Sequence, residues 1–149
     1  MRIAIGSDHA GFVYKEPIIN YLKKLQMDVI DLGPESAEPT DYPIYARKVA
    51  ETIRDKHADF GILICGTGEG MSIAANKVKG VIAGIAHSPF TAKAIREHNR
   101  ANVLCLGSRT NTLEEALGYV EIFLNTEFSD NPRHLHRVQL IEAIEGDKQ

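Results

Sequence analysis

Residues 58–77 read ADFGILICGTGEGMSIAANK, and this stretch decides the fold. Phe60 to Ile64 is uncharged and rich in β-branched residues, as a strand buried on both faces requires. It stops at Cys65. Three glycines follow, Gly66, Gly68 and Gly70, and then Met71 to Lys77 has helical composition. A strand, a glycine turn and a helix leave backbone N–H groups pointing at whatever lies over the turn, with the positive end of the helix dipole behind them. Such a turn suits an anion, and a thiol at its lip, here Cys65, loses its proton readily. The spacing does not match nucleotide-binding loops. Met71 and Ile73 stand where the third glycine of a dinucleotide fingerprint would fall, and no lysine follows at Walker A spacing. The plainer alternative is a tight turn beside a buried, inert thiol.

Outward from this stretch, apolar strands alternate with helices. The sequence predicts strands at Arg2–Gly6, Val29–Gly33, Val81–Ala86 and Asn102–Leu106. Helices are expected from Phe12 to Leu25, from Pro43 to about Asp55, from Ser88 to about Asn99, over Leu113–Leu124, and from Pro132 onward. Pro17 is awkward within the first of these. The alternation indicates a single α/β domain over residues 1–149, a parallel sheet covered on both faces. Ligands in such sheets bind at the carboxyl ends of the strands, where the strand order switches direction. Polar residues collect there: Asp8 and His9 after the first strand, Cys65 to Gly70 after the third, Arg109 after the fifth.

Composition narrows the function. With 17 basic and 20 acidic residues the net charge is −3, giving no overall attraction to nucleic acid or anionic membrane. No apolar run reaches membrane-spanning length. The two cysteines, Cys65 and Cys105, end separate apolar runs and read as reduced thiols of a cytoplasmic protein, Cys105 as a small buried hydrophobe. The six histidines show no zinc-binding spacing, so neither metal nor other cofactor is expected.

Several residues admit two readings. Asp8 and His9 could be a helix cap beside a surface histidine, or could face Cys65 across neighbouring strands. His98 and Asn99 end a helix, where a cation and a left-handed residue are both favourable, yet a helix end also holds an imidazole rigidly. Arg133 and Arg137 lie one helical turn apart near a helix start, where like charges repel and oppose the dipole; a bound phosphate would reverse both effects. Otherwise they form a solvated basic face with His134 and His136. Tyr42 serves either packing or binding.

Taken together, these segments closely resemble the type B ribose-5-phosphate isomerases and related sugar-phosphate isomerases, nearly end to end. The resemblance rests on IAIGSDHAGF at residues 3–12, TDYP at 40–43, ILICGTGEGMSIAANK at 62–77, REHN at 96–99, NVLCLGSR at 102–109 and RHLHRV at 133–138. It implies a Rossmann-like αβα sandwich with five parallel strands, for which the order 2-1-3-4-5 is expected, and no metal. It also implies a homodimer or tetramer with active sites at the subunit interface, making the helix from Pro132 a candidate for packing on a partner. Carried over residue by residue, Cys65 is the base, His98 opens the sugar ring, and Thr67 and Asp8 assist catalysis. Asp8, His9, Tyr42, Gly66, Thr67, Gly68, Glu69, Gly70, Asn99, Arg109, Arg133 and Arg137 fall at substrate-binding positions. The implied reaction interconverts ribose 5-phosphate and ribulose 5-phosphate through a cis-enediolate. The same chemistry on a six-carbon sugar phosphate, such as allose or galactose 6-phosphate, and a non-catalytic phosphate- or nucleotide-binding module are the alternatives. Glu69, where relatives are usually apolar, and Asp130-Asn131-Pro132, in place of a glycine pair, depart from the family pattern.

Overall fold

The computed structural model describes residues 1–147. Five strands, β1 (Arg2–Ser7), β2 (Asp28–Asp31), β3 (Phe60–Cys65), β4 (Ala83–Ile85) and β5 (Val103–Gly107), form one sheet. All four strand pairings are parallel, with Ile5 opposite Ile62 and Cys65 opposite Gly107. The helices are α1 (Phe12–Lys24), α2 (Tyr42–Arg54), α3 (Glu69–Ala75), α4 (Pro89–Glu97), α5 (Leu113–Asn125) and α6 (Pro132–Asp147).

Side-chain alternation divides the core between the two faces. Ile3, Ile5, Ile62, Ile64, Leu104 and Leu106 pack with Ile18 and Leu22 of α1, Ala92 of α4 and Phe123 of α5. Ala4, Leu63, Cys65, Val103 and Cys105 pack with Val49 of α2 and Met71 of α3. Each fully buried aliphatic contributes about 1.5–3 kcal/mol, so the central strands dominate the stability. Helix α1 passes through Pro17 and continues to Lys24. Helix α4 begins with a capping box in which Ser88 and Thr91 bond reciprocally, and α5 with the same device between Thr112 and Glu115.

The strand order is β2-β1-β3-β5-β4, so the expected 2-1-3-4-5 is wrong at its right-hand end. The reason lies in which face each helix covers. Right-handed crossovers tie the direction of each step to the face its helix occupies. Helices α2 and α3 share one face and carry the chain rightward; α1 and α4 share the other and carry it leftward. Because α4 lies with α1, the strand after it steps back inside β4. β4 is also shorter than expected, three residues rather than the predicted Val81–Ala86, as suits an edge. The direction reverses between β1 and β3, which sets a crevice at their carboxyl ends.

Candidate active site

The crevice is built from backbone packed too closely for side chains. Asp8 N–H donates to Ile64 O at 3.1 Å, bringing the turn after β1 against the end of β3. A Cβ on Gly11 would lie 2.3 Å from Ile64 O, so only glycine permits that approach. Asp8 is 7 % exposed, and its Oδ1 accepts the Gly11 N–H at 2.9 Å. Its other oxygen takes no donor among the described residues. Asp8 is therefore not the cap of α1, whose N-cap is Gly11 with no side-chain cap bond; it closes the turn before that helix, beside the end of β3.

Cys65 ends β3 in the crevice and is 5 % exposed. Gly68 N–H donates to its Sγ at 3.1 Å, so the loop backbone holds the sulfur in place. Gly68 has φ +82°, the left-handed conformation that turns the chain into α3. That helix starts at Glu69, two residues earlier than the sequence predicts, because the glycine turn itself supplies the cap. Thr67 is exposed, and its Oγ1 accepts the Glu69 N–H at 3.2 Å. The Thr67 and Gly70 amides have no acceptor among the described residues and are available to an anion. Glu69 is exposed in the first turn of α3, where a negative charge suits the dipole.

Three further residues surround the turn. Arg109 N–H donates to Gly66 O at 2.8 Å, and its guanidinium lies over Gly66, with Nη1 3.2 Å from where a Cβ would be. The Tyr42 ring lies against Gly70, its Cε1 2.6 Å from the corresponding Cβ position. His9 is exposed, and its Nδ1 lies 3.2 Å from both the amide nitrogen and the carbonyl oxygen of Thr40. Asp8, His9, Tyr42, Cys65 to Gly70 and Arg109 thus gather at one end of the sheet.

His98, Asn99, Arg133 and Arg137 lie at the other end. In a parallel sheet the helices run back towards the amino ends of the strands, and His98 is the residue that closes α4. Four residues later Asn102 meets the start of β3, its carbonyl accepting the Gly61 N–H at 2.9 Å. Gly61 and Cys65 are four rises apart, about 13 Å. His98 packs on His134, with ring centroids 4.5 Å apart. Asn131 Oδ1 accepts the Arg133 N–H at 3.0 Å, capping α6 as expected. The left-handed residue after α4 is Arg100, with φ 55°, and not Asn99, because the helical path continues one residue beyond His98 before turning.

His134 and Lys15 carry signals that the sequence reading passed over. The His134 imidazole is held below the ordinary histidine range, first by burial of the ring, then by His98, Arg133 and Arg137. Its Nδ1 is shut off from solvent and has no hydrogen-bond partner among the described residues. Lys15 stands at the apolar spacing of α1, three residues from Phe12 and Ile18, and is 3 % exposed. Cys105 is fully buried as expected, and burial pushes its thiol pKa up, out of the range where it would react.

Among the described residues no helix is long and apolar enough to cross a membrane. Residues 3–141 match the family described as Ribose/Galactose Isomerase. The chain is 46% identical to ribose-5-phosphate isomerase B of Escherichia coli over 144 residues, covering 97% of this chain and 96% of that protein. It superposes on ribose-5-phosphate isomerase B of Clostridium thermocellum with a TM-score of 0.97 at 46% identity, covering all of both chains. The Mycoplasma genitalium ribose-5-phosphate isomerase B, solved with bound ribulose-5-phosphate, matches with a TM-score of 0.92 at 44% identity over 99% of this chain and 97% of that one. With a cysteine and glycine turn at the switch point of a 2-1-3-5-4 sheet, and these matches along nearly its whole length, the chain belongs to the ribose/galactose isomerase family.

Proposed function

We propose that the protein interconverts ribose 5-phosphate and ribulose 5-phosphate, with Cys65 as the base. The observation that carries this is the Cys65 sulfur beneath the Gly68 N–H, beside free loop amides and the half-free carboxylate of Asp8. An aldose–ketose isomerase needs these parts: a base for the C2 proton, an anion hole, and a group that moves protons between two oxygens. Cys65 thiolate removes the proton from C2 and returns it to C1. The cis-enediolate formed between these steps is stabilised by Thr67 and the loop amides. Asp8 shuttles the hydroxyl proton between O1 and O2. The sugar phosphate bound in the Mycoplasma genitalium relative supports the substrate class.

Ring opening and phosphate binding require the second cluster, and one chain cannot supply it at the Cys65 crevice. We infer a two-fold dimer in which His98, Asn99, Arg133 and Arg137 of one protomer complete the crevice of its partner. A two-fold axis that brings one protomer's amino edge to the other's carboxyl edge necessarily makes the reciprocal contact, giving two equivalent sites. Exposed apolar side chains on α6, Leu135, Leu140, Ile141 and Ile144, support a partner on that helix. His98 then moves a proton at the furanose ring oxygen. His9, Arg109, Arg133 and Arg137 hold the phosphate. The test is an interconversion assay over a panel of five- and six-carbon aldose and ketose phosphates. Turnover of ribose 5-phosphate above the six-carbon sugars is expected; a preference for a six-carbon sugar would overturn the substrate assignment.

A further inference from the structure

Lys15 is the only buried cation among the described residues. Its Nζ donates to Asp31 Oδ1 at 2.8 Å and to the Pro34 carbonyl, and lies 5.4 Å from the centre of the Phe12 ring. Enclosing an ammonium is unfavourable unless its partners compensate, and an apolar side chain would fill the same space on α1. Stability alone therefore does not account for a lysine here. What an ammonium does, and a methyl group cannot, is hold two oxygens at once, and both belong to the start of the segment 31–41.

That segment leads directly to the site. Asp31 Oδ1 also accepts the Gly33 N–H at 3.0 Å, and Gly33 O accepts the Ser7 N–H at 3.1 Å, so Lys15 fixes the segment's start against the end of β1. Between Pro34 and Thr40, hydrogen bonds to the rest of the described chain occur only at the two ends. Lys15 holds one end; His9 and the Tyr45 hydroxyl, 3.4 Å from Thr40 Oγ1, hold the other. Immediately beyond, Tyr42 begins α2 and lies over Gly70.

Thr40 fixes the orientation of the His9 ring by meeting Nδ1 with both an N–H and a carbonyl, and leaves the proton's place to the ligand. When the Thr40 N–H donates to Nδ1, a neutral imidazole carries its proton on Nε2. When the ring is a cation, Nδ1–H donates to the Thr40 carbonyl and Nε2 again carries a proton. Both arrangements leave an Nε2–H donor for an anionic oxygen. The neutral form protonated on Nδ1 also donates to the Thr40 carbonyl but presents a bare Nε2, which a phosphate disfavours, so a bound phosphate selects the Nε2–H form.

We propose that Lys15 is a positioning residue: it pins the 31–41 segment so that Thr40 holds His9 with Nε2 towards the substrate phosphate. The inference rests on the assignment of His9 to the phosphate under the proposed function. The test is a double-mutant cycle of Lys15→Met and His9→Ala, read by steady-state kinetics with ribose 5-phosphate, inhibition by inorganic phosphate, and thermal unfolding. Lys15→Met should raise KM about tenfold with kcat within about threefold, because a phosphate grip acts on ground and transition states alike. In the His9→Ala background the same substitution should change kcat/KM and phosphate inhibition by less than about twofold. Equal factors in the two backgrounds would overturn the inference, leaving Lys15 a purely structural residue. If Lys15→Met does not fold, Asp31→Asn loosens the same contact from its solvent-facing side and is held to the same criteria. A wild-type chain that turns over no sugar phosphate would instead overturn the functional reading, and this inference with it.

Discussion

The two ends of the sheet are built in different ways. At the carboxyl end the geometry is set by backbone: Gly11 against Ile64, Gly68 in the left-handed region, and the Gly68 amide on the Cys65 sulfur. At the amino end it is set by side chains on helix termini, with His98 stacked on His134 and two arginines on the first turns of α6. Backbone positions donors without losing rotamer freedom, which suits a reacting centre that must be rigid. Side chains at helix ends supply charge and reach, which suits a group that closes over a ligand. The carboxyl end has the Cys65 thiol and the unpaired loop amides proposed as base and anion hole, whereas the amino end carries the cationic side chains around His98 and His134. Under the proposed function, neither end alone is a complete isomerase site.

The largest expected effect falls on the rigid end. Cys65→Ala should lower turnover by about 10³-fold or more, while inorganic phosphate still protects the variant against thermal unfolding. Turnover within tenfold of wild type would remove Cys65 as the base. Next comes His98→Asn, which should slow conversion of ribose 5-phosphate about 10²-fold. Starting from ribulose 5-phosphate the loss should be smaller, because that ketose has no free hydroxyl placed to close a furanose. The comparison is of kcat, since the equilibrium constant makes kcat/KM fall equally both ways; equal losses of kcat in both directions would mean that His98 does something other than open the ring. Arg133→Ala should raise KM by about tenfold with kcat little changed, as expected of a phosphate contact equally strong in both states.

The smallest effects separate charge from packing. The His134 imidazole is held below its ordinary range in the folded chain, whereas the unfolded chain takes up that proton near pH 6.5. The unfolded state therefore binds more protons as the pH falls below 6.5, and folding stability should fall over that window. His134→Gln should remove this part of the acid loss, read as the difference in Tm between pH 7.5 and pH 5.5, roughly the flanks of the histidine range. An unchanged difference would mean that other groups govern it. Glu69→Leu should cost at most about 1 kcal/mol, the worth of a favourable charge at a helix start, and leave turnover within about threefold.

How much of this was legible beforehand depends on the range of the physics involved. The β3–turn–α3 unit could be read because it is local: an apolar run, glycines and helix formers within twenty residues. Asn131-Pro132 and Ser88-Pro89 were legible as helix starts for the same reason. The place of β5 was not, because it depends on whether α4 packs with α1 or with α3, and the apolar face of α4 is the same in either case. The separation of His98 from Cys65 was also hidden. Both belong to family motifs, and a motif does not say at which end of a sheet it lies. Lys15 was readable in principle, as a charge at core spacing, but its partners Asp31 and Pro34 are set by tertiary packing.

The claim that the two ends meet only across two protomers is tested most directly by complementation. Cys65→Ala and His98→Asn chains, each nearly inactive alone, are co-expressed in equal amounts and purified together as the random mixture of dimers. Shared sites predict about one quarter of wild-type activity, since half the dimers are mixed and each of those has one intact site. A mixture no more active than its two parents would show that Cys65 and His98 must come from the same chain, and would contradict the account.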